Sequence, residues 1–317
     1  MLYFLLLLLG FLPLIYGANL LVDSASSLAK RYNIPNIVIG LTIVAFGTSA
    51  PELVVNVFSA VQKNADLALS NVIGSNIFNV AAILGISAII FPLTVKTATT
   101  WIEVPLALLA GVMVLVMGND ILIDKAGSSM ISRIDGIVLL VFFLIFLVYN
   151  YQMVRKGDYS EEIPIKDIAP GKATLLIFAG LALLVVGGRL IVYSAVELAT
   201  AWGMPERLIG LTIVSIGTSL PELATSVVAA TKRNTDIAVG NIVGSNIFNV
   251  FFILGTSAVI YPVPMPAGAM VDVLFNILLG LLLFAFIFTG KGRRIERWEG
   301  ILFILLYVGY IIYLVAG

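Results

Sequence analysis

Long apolar stretches separated by short polar breaks are the first pattern along this chain. About ten such stretches recur, each of about 20 residues or more, the length that crosses the hydrocarbon core of a bilayer as a helix. They fall at about 2–28, 37–61, 67–91, 99–118, 134–154, 173–199, 207–231, 237–261, 269–289 and 298–316, to within a few residues at each end. The apolar start, Met1–Ile15, has neither a basic front end nor a small-residue cleavage site, so it reads as the first spanning helix rather than a signal peptide. The one sizeable polar segment, Arg155–Lys172, carries Asp158, Glu161, Glu162, Pro164, Lys166, Asp167 and Pro170 and reads as a linker. The pattern predicts an all-α integral membrane protein in two five-helix units, residues 1–154 and 173–317, joined by residues 155–172.

Composition acts mainly by exclusion. Hydrophobic residues make up 60% of the chain and charged residues 11%, whereas a soluble domain has about 45–50% and about 25%. Such a chain cannot cover a water-facing surface with polar groups, so the lipid bilayer is its expected partner. Basic and acidic residues number 18 each, and this neutral balance gives no sign of nucleic acid. Cysteine and histidine are both absent. Disulfides, thiolate and imidazole metal sites, and Ser-His or Cys-His catalysis are therefore excluded. No Ser-Lys pair suggests itself, and the chain is read as neither an enzyme nor a cofactor protein. The basic residues also orient it. Lys63, Lys125, Arg133 and Arg207 lie in one set of loops and Arg189 lies within a span, where it snorkels. The rest of the basic residues lie in the opposite loops, a bias of roughly threefold that places the N- and C-termini outside and the linker in the cytoplasm. Compact size and the lack of a targeting sequence fit a prokaryotic plasma membrane.

The chain repeats itself. Ile39–Pro92 matches Ile209–Pro262 without gaps at an offset of about 170 residues, with roughly three identities in five. The similarity continues more weakly outward: Ser24, Ala25, Leu28 and Ala29 align with Ser194, Ala195, Leu198 and Ala199. Five spans per unit is odd, so the second unit enters the membrane in the opposite sense. Inverted repeats of this kind typify secondary transporters, with the ion site near the midplane. A duplicated scaffold would keep apolar character but has little reason to keep identical polar residues. Here the best-matched residues are the polar ones and the glycines.

Two motifs carry the chemistry. The first is Gly47-Thr48-Ser49-Ala50-Pro51-Glu52, copied as Gly217-Thr218-Ser219-Leu220-Pro221-Glu222. Glu52 and Glu222 fall near the middle of their spans, where an acidic side chain costs roughly 2.5–3.5 kcal/mol or more. A bound cation would offset that cost. Pro51 and Pro221 each remove a donor and obstruct the preceding turn, so both helices are expected to break or kink there. Freed carbonyls, hydroxyls and carboxylates are hard oxygen ligands of the type calcium collects six to eight at a time. Ser49-x-x-Glu52 also has the form of a capping box, which would accompany ion ligation. The second motif is Asn71-x-x-Gly74-Ser75-Asn76-Ile77-Phe78-Asn79, copied as Asn241-x-x-Gly244-Ser245-Asn246-Ile247-Phe248-Asn249. Ser75 and Asn79 are four apart and share a helix face, and Asn71 extends it by a turn. Gly74 permits close approach of a neighbouring helix, and interhelical hydrogen bonding is the competing use of these polar residues, chiefly Asn76 and Asn246. The spacing predicts four helices meeting at the centre: the second and seventh carrying glutamate, the third and eighth carrying serine and asparagine.

These paired motifs resemble the two alpha-repeats of the sodium/calcium exchanger family, within the calcium/cation antiporter superfamily, and the size matches a prokaryotic-type member. The resemblance covers nearly the whole chain, strongly over 39–92 and 209–262. It implies sodium and calcium as transported ions, with Glu52 and Glu222 as shared central carboxylates. It further implies hydroxyl or carbonyl ligands at Thr48, Ser49, Thr218 and Ser219, outer sodium ligands at Ser75 and Ser245, and a central pair at Asn79 and Asn249. Backbone carbonyls of Ala45 and Ser215 would complete sodium sites. Several relatives, among them potassium-dependent ones, carry Asp where Asn249 stands, which argues against a potassium requirement here. The resemblance also implies three sodium ions per calcium; a monomer is the expected working unit. Proton/calcium exchange at the same carboxylates is the nearest rival, and a cation channel the rival from another class. The first and sixth helices, rich in glycine at Gly10, Gly17, Gly180, Gly187 and Gly188, are expected to slide past the core.

Overall fold

A computed structural model describes residues 2–63, 66–123, 125, 127–156, 166–203, 215–265, 268–290 and 292–316. Among them, eight helices are long and apolar enough to cross a membrane, or nine if one bent pair counts as a single span. The chain is a multi-pass membrane protein. In order, α1 is Leu2–Arg31, α2 Asn36–Thr48, α3 Ala50–Val61, α4 Ala68–Ile90, α5 Thr99–Met117 and α6 Arg133–Arg155. Then come α7 Pro170–Ala201, α8 Ser215–Thr218, α9 Leu220–Thr231, α10 Thr235–Ile260, α11 Ala269–Phe286 and α12 Arg297–Val315. The stretch 204–214, which holds the start of the span expected at about 207–231, lies outside the described residues, as does 157–165 of the expected linker. Helix α7 begins at Pro170, inside that linker, because proline at a first helical turn sacrifices no hydrogen bond.

The expected break at the first glutamate motif is present. Helices α2 and α3 form one span bent by 49°. Ser49 sits at the bend with φ −82° and ψ 6°, and Ser219 has nearly the same geometry, φ −90° and ψ 9°. Pro51 and Pro221 stand in the first turn of the helix that follows, where each would obstruct the carbonyl four residues earlier if the helix ran straight on.

Helices α4 and α10 are almost wholly buried, while α6 and α12 are largely exposed. The exposed side chains of the outer helices are apolar, for example Leu144 and Phe178, as a lipid-facing surface requires. Arg189 is likewise exposed on α7. Helix α10 approaches α2 closely through glycine. A Cβ on Gly244 would lie 2.8 Å from the Leu41 carbonyl oxygen, and one on Gly240 2.9 Å from that of Ile37. The two longest helices, α1 and α7, are packed backbone to backbone. A Cβ on Gly17 would lie 2.7 Å from the Gly180 carbonyl oxygen, and one on Gly180 2.8 Å from that of Gly17. Small residues at such crossings let dispersion contacts hold helices together where lipid offers no hydrophobic drive.

Two features depart from an all-α reading. Two-residue strands pair antiparallel: Leu93–Thr94 with Arg294–Ile295, and Met130–Ile131 with Val263–Pro264. Each ties a loop of one half to a loop of the other and satisfies backbone groups outside the helices. In addition, π-helical turns occupy Gly40–Val44, Phe78–Leu84 and Phe248–Leu254. The latter two contain Asn79 and Asn249, and such insertions recur at functional positions in helices.

Candidate ion-binding site

The bends put Glu52 and Glu222 in the first turns of α3 and α9, each 1% exposed. Each carboxylate is held mainly by the opposite half. Ser219 Oγ donates to Glu52 Oε1 at 2.9 Å, and Ser49 Oγ donates to Glu222 Oε1 at 2.8 Å. The serine on the neighbouring buried helix stands 3.5 Å from the same oxygen in both cases, Ser75 beside Glu52 and Ser245 beside Glu222. The serines also meet each other across the halves, Ser49 to Ser245 at 3.0 Å and Ser219 to Ser75 at 3.1 Å. Thr48 reaches Asn241 Oδ1 at 3.1 Å, and Thr218 reaches Asn71 Oδ1 at 3.4 Å. Every bond in this cluster thus has a counterpart in the other half.

Ser49 and Ser219 do not cap the helices they precede with their side chains, contrary to the capping-box expectation. Their hydroxyls donate across to the other half's carboxylates instead. Thr48 Oγ1 lies 3.3 Å from the carbonyl oxygen of Ala45, which also accepts the Ser49 N–H at 3.0 Å. Ser215 is the first residue of α8, and its side chain is outside the described part.

Asn76 and Asn246 make interhelical hydrogen bonds, the competing use expected of them. Asn246 Oδ1 accepts from Asn79 Nδ2 at 2.9 Å, and Asn76 Oδ1 accepts from Asn249 Nδ2 at 2.9 Å. Each fixes which end of its partner amide faces it. The Oδ1 atoms of Asn79 and Asn249, like Glu52 Oε2 and Glu222 Oε2, are then buried without a hydrogen-bond donor. Four buried oxygens, all able only to accept when the carboxylates are ionised, are costly unless a cation or other donor meets them. Two carboxylates, two amide carbonyls and flanking hydroxyls are oxygens of the kind a hard cation collects. Among the described residues no cluster of three acidic, histidine or cysteine side chains occurs, so the charge here is that of the glutamate pair.

Other polar residues lie one to two turns away. Asn56 Nδ2 donates to the Glu52 carbonyl at 2.8 Å. Asn241 Nδ2 lies 2.9 Å from Ser226 Oγ and 3.3 Å from the Glu222 carbonyl. Asn56 and Ser226 lie outside the two motifs. Their only sequence signal is polarity within an apolar span, at equivalent positions of the repeat.

The family model of the sodium/calcium exchanger protein matches residues 2–152 and 172–316. The sodium/calcium exchanger MaX1 of Methanosarcina acetivorans is 31% identical over 98% of this chain and 98% of its own. The inner membrane protein YrbG of Escherichia coli K12 is 35% identical over 98% of this chain and 94% of its own. Among solved structures, the sodium-calcium exchanger NCX_Mj soaked with Na+ and Ca2+ superposes with a TM-score of 0.83 at 32% identity, over 98% of both chains.

Proposed function

Because the chain belongs to the sodium/calcium exchanger family, a family of transporters rather than enzymes, we propose that it exchanges sodium for calcium by alternating access to the Glu52–Glu222 site. The observation that carries this is the reciprocal cluster: each buried carboxylate bonded by the other half's serine, with four acceptor oxygens left over. One calcium ion would neutralise both carboxylates at once. Sodium ions, singly charged, would occupy the same oxygens together, with Ser75 and Ser245 as outer ligands, Asn79 and Asn249 in the middle, and carbonyls of Ala45 and Ser215 closing the ends. Thr48 and Thr218 line the same turns. Since both cargoes need Glu52 and Glu222, they compete, and competition at one site converts binding into exchange. A site with neither ion would carry two desolvated negative charges, a state too costly to cross the membrane interior. The swap is therefore obligatory.

The reciprocal hydrogen bonds support two inverted five-helix repeats, 1–154 and 173–317, about ten spans in all, with the α2–α3, α4, α8–α9 and α10 helices as core. The basic-residue bias supports both termini outside and residues 155–172 in the cytoplasm. The proposed ligands form a complete set without a second copy of the chain, and a monomer is the expected working unit. The glycine-tight pair α1 and α7 is the moving part. It touches the core through side chains rather than locked backbone: a Cβ on Gly47 would meet Leu181 side-chain carbons, and one on Gly217 would meet those of Val192.

The test is calcium uptake into proteoliposomes driven by an outward sodium gradient, with pH clamped on both sides. Uptake that follows the sodium gradient is expected. Uptake driven equally by a proton gradient alone would transfer the site to proton/calcium exchange, and uptake needing no counter-ion would make the protein a channel.

A further inference from the structure

We infer that Asp23 is a positioning residue for exchange, a latch that pins the Arg31 end of α1 to the end of core helix α9 and keeps the route to the site closed on that face. The inference rests on the alternating-access reading above. Asp23 lies about two turns before Arg31, and each of its carboxylate oxygens has its own ammonium group. Oδ1 meets Lys232 Nζ at 2.6 Å and Oδ2 meets Lys166 Nζ at 2.8 Å. Lys232 follows directly on Thr231, the last residue of α9, and α9 carries Glu222 in its first turn. The attachment point of α1 is thus the far end of the helix that holds an ion ligand. The contact extends along both elements. Asn234 Nδ2 donates to Ser26 Oγ at 3.0 Å while its Oδ1 accepts the Ile237 N–H at the start of α10. Ser27 Oγ accepts the Ile168 N–H at 3.0 Å, tying α1 to the segment that leads into α7.

The two lysines differ in what happens to them when α1 moves. Lys166 stands four residues before α7, and α7 is packed backbone to backbone on α1, so Lys166 travels with Asp23. Lys232 stays with the core. Sliding therefore breaks Asp23–Lys232 and Ser26–Asn234 while Asp23–Lys166 persists, which spares the carboxylate from moving along the membrane interface without a counter-charge. The Asp23 and Lys232 side chains are partly shielded, 22% and 30% exposed, so salt screens their pairing less than it would a surface pair. The repeat does not copy the Asp23–Lys232 pair. The repeat offset puts Tyr193 in the place of Asp23 and Gln62 in the place of Lys232. Tyr193 packs edge-on against Tyr3 instead, with ring centres 6.0 Å apart. With no such pair in its place among the described residues of the other copy, Asp23–Lys232 biases the conformational equilibrium toward the state closed on its own face.

The chain has no cysteine, so a single introduced thiol reports access cleanly. Thr225 is fully buried, one turn past Glu222 on the way to Lys232. In Thr225→Cys, a membrane-impermeant thiol reagent applied from the Lys232 face measures how often that face opens. Adding Lys232→Gln or Asp23→Asn is expected to raise the labelling rate about fivefold, the population shift that follows from losing about 1 kcal/mol of latching. Asp23→Glu, which keeps the charge, and Lys166→Gln, which leaves the latch itself, are expected to stay within about twofold of the parent. Unchanged labelling in Lys232→Gln, or an equal rise in Lys166→Gln, overturns the latch. If Asp23→Asn does not fold, the two lysine variants decide alone. A parent protein without sodium-driven calcium uptake would defeat the exchange reading and leave the labelling contrast as a separate result.

Discussion

The Glu52 and Glu222 halves match closely at their centre and part company with distance from it. At the carboxylates, the cross-half serine bonds differ by only 0.1 Å, 2.9 Å to Glu52 and 2.8 Å to Glu222. One to two turns away the Glu222 half is better tied. Asn241 Nδ2 finds Ser226 at 2.9 Å, whereas Asn71 Nδ2 and Asn56 Oδ1, at the equivalent positions, are both buried without partners. At the membrane faces the resemblance ends, with an ion-pair cluster at Asp23 and an aromatic contact at Tyr193. The physical lesson is that the two halves match where buried charge must be satisfied and diverge with distance from it. Further out, the two copies carry different residues, Asp23 and Lys232 in one place and Tyr193 and Gln62 in the other.

The sharpest way to break the central equivalence is to neutralise each carboxylate in turn. Glu52→Gln and Glu222→Gln should each lower sodium-driven calcium uptake by about 100-fold or more, about 2.7 kcal/mol, and by similar amounts. One variant surviving at near-normal rate would show that the halves do not share the ion. Next come the serines that cross between halves. Ser49→Ala and Ser219→Ala each remove a hydrogen bond to a charged group, worth about 1.5–3 kcal/mol. Calcium affinity measured in detergent should fall about 10- to 100-fold in both.

The α1–α7 crossing gives a mutual test, since each glycine faces the other's carbonyl. Gly17→Val and Gly180→Val should lower thermal stability alike, by about 1–3 kcal/mol of overpacking. Gly171→Ala, with nothing within 4 Å, should leave the melting midpoint in place. The smallest contrast concerns the asparagines. Asn241→Ala should cost about 1 kcal/mol more than Asn71→Ala, because only Asn241 has a bonded amide nitrogen to lose. Chemical denaturation in mixed micelles would read that difference, and equal costs would erase the asymmetry.

Much of the candidate site was legible because the chain states its motifs twice. Glu52 and Glu222 stood out as acids inside apolar spans, and Pro51 marked the bend now seen at Ser49. The partners of those residues were harder to read. Ser49 bonds a residue 173 positions away, and local spacing offered the nearer capping role, which the side chain does not take. Asn76 and Asn246 had interhelical hydrogen bonding as a competing use, and their bonds to Asn249 and Asn79 show which amides they orient. The π-helical turns and two-residue strands escaped notice because they are too short to leave a periodic pattern. Asp23 was passed over inside a long apolar run, where its two lysine partners, 143 and 209 positions away, could not be seen.

The most direct measurement is calorimetric titration of the purified protein with calcium at fixed, low sodium. One saturable site per chain is expected, weakened as sodium rises and lost in both Glu52→Gln and Glu222→Gln. Calcium binding that persists undiminished with both carboxylates neutralised, or that ignores sodium, would contradict a shared carboxylate site.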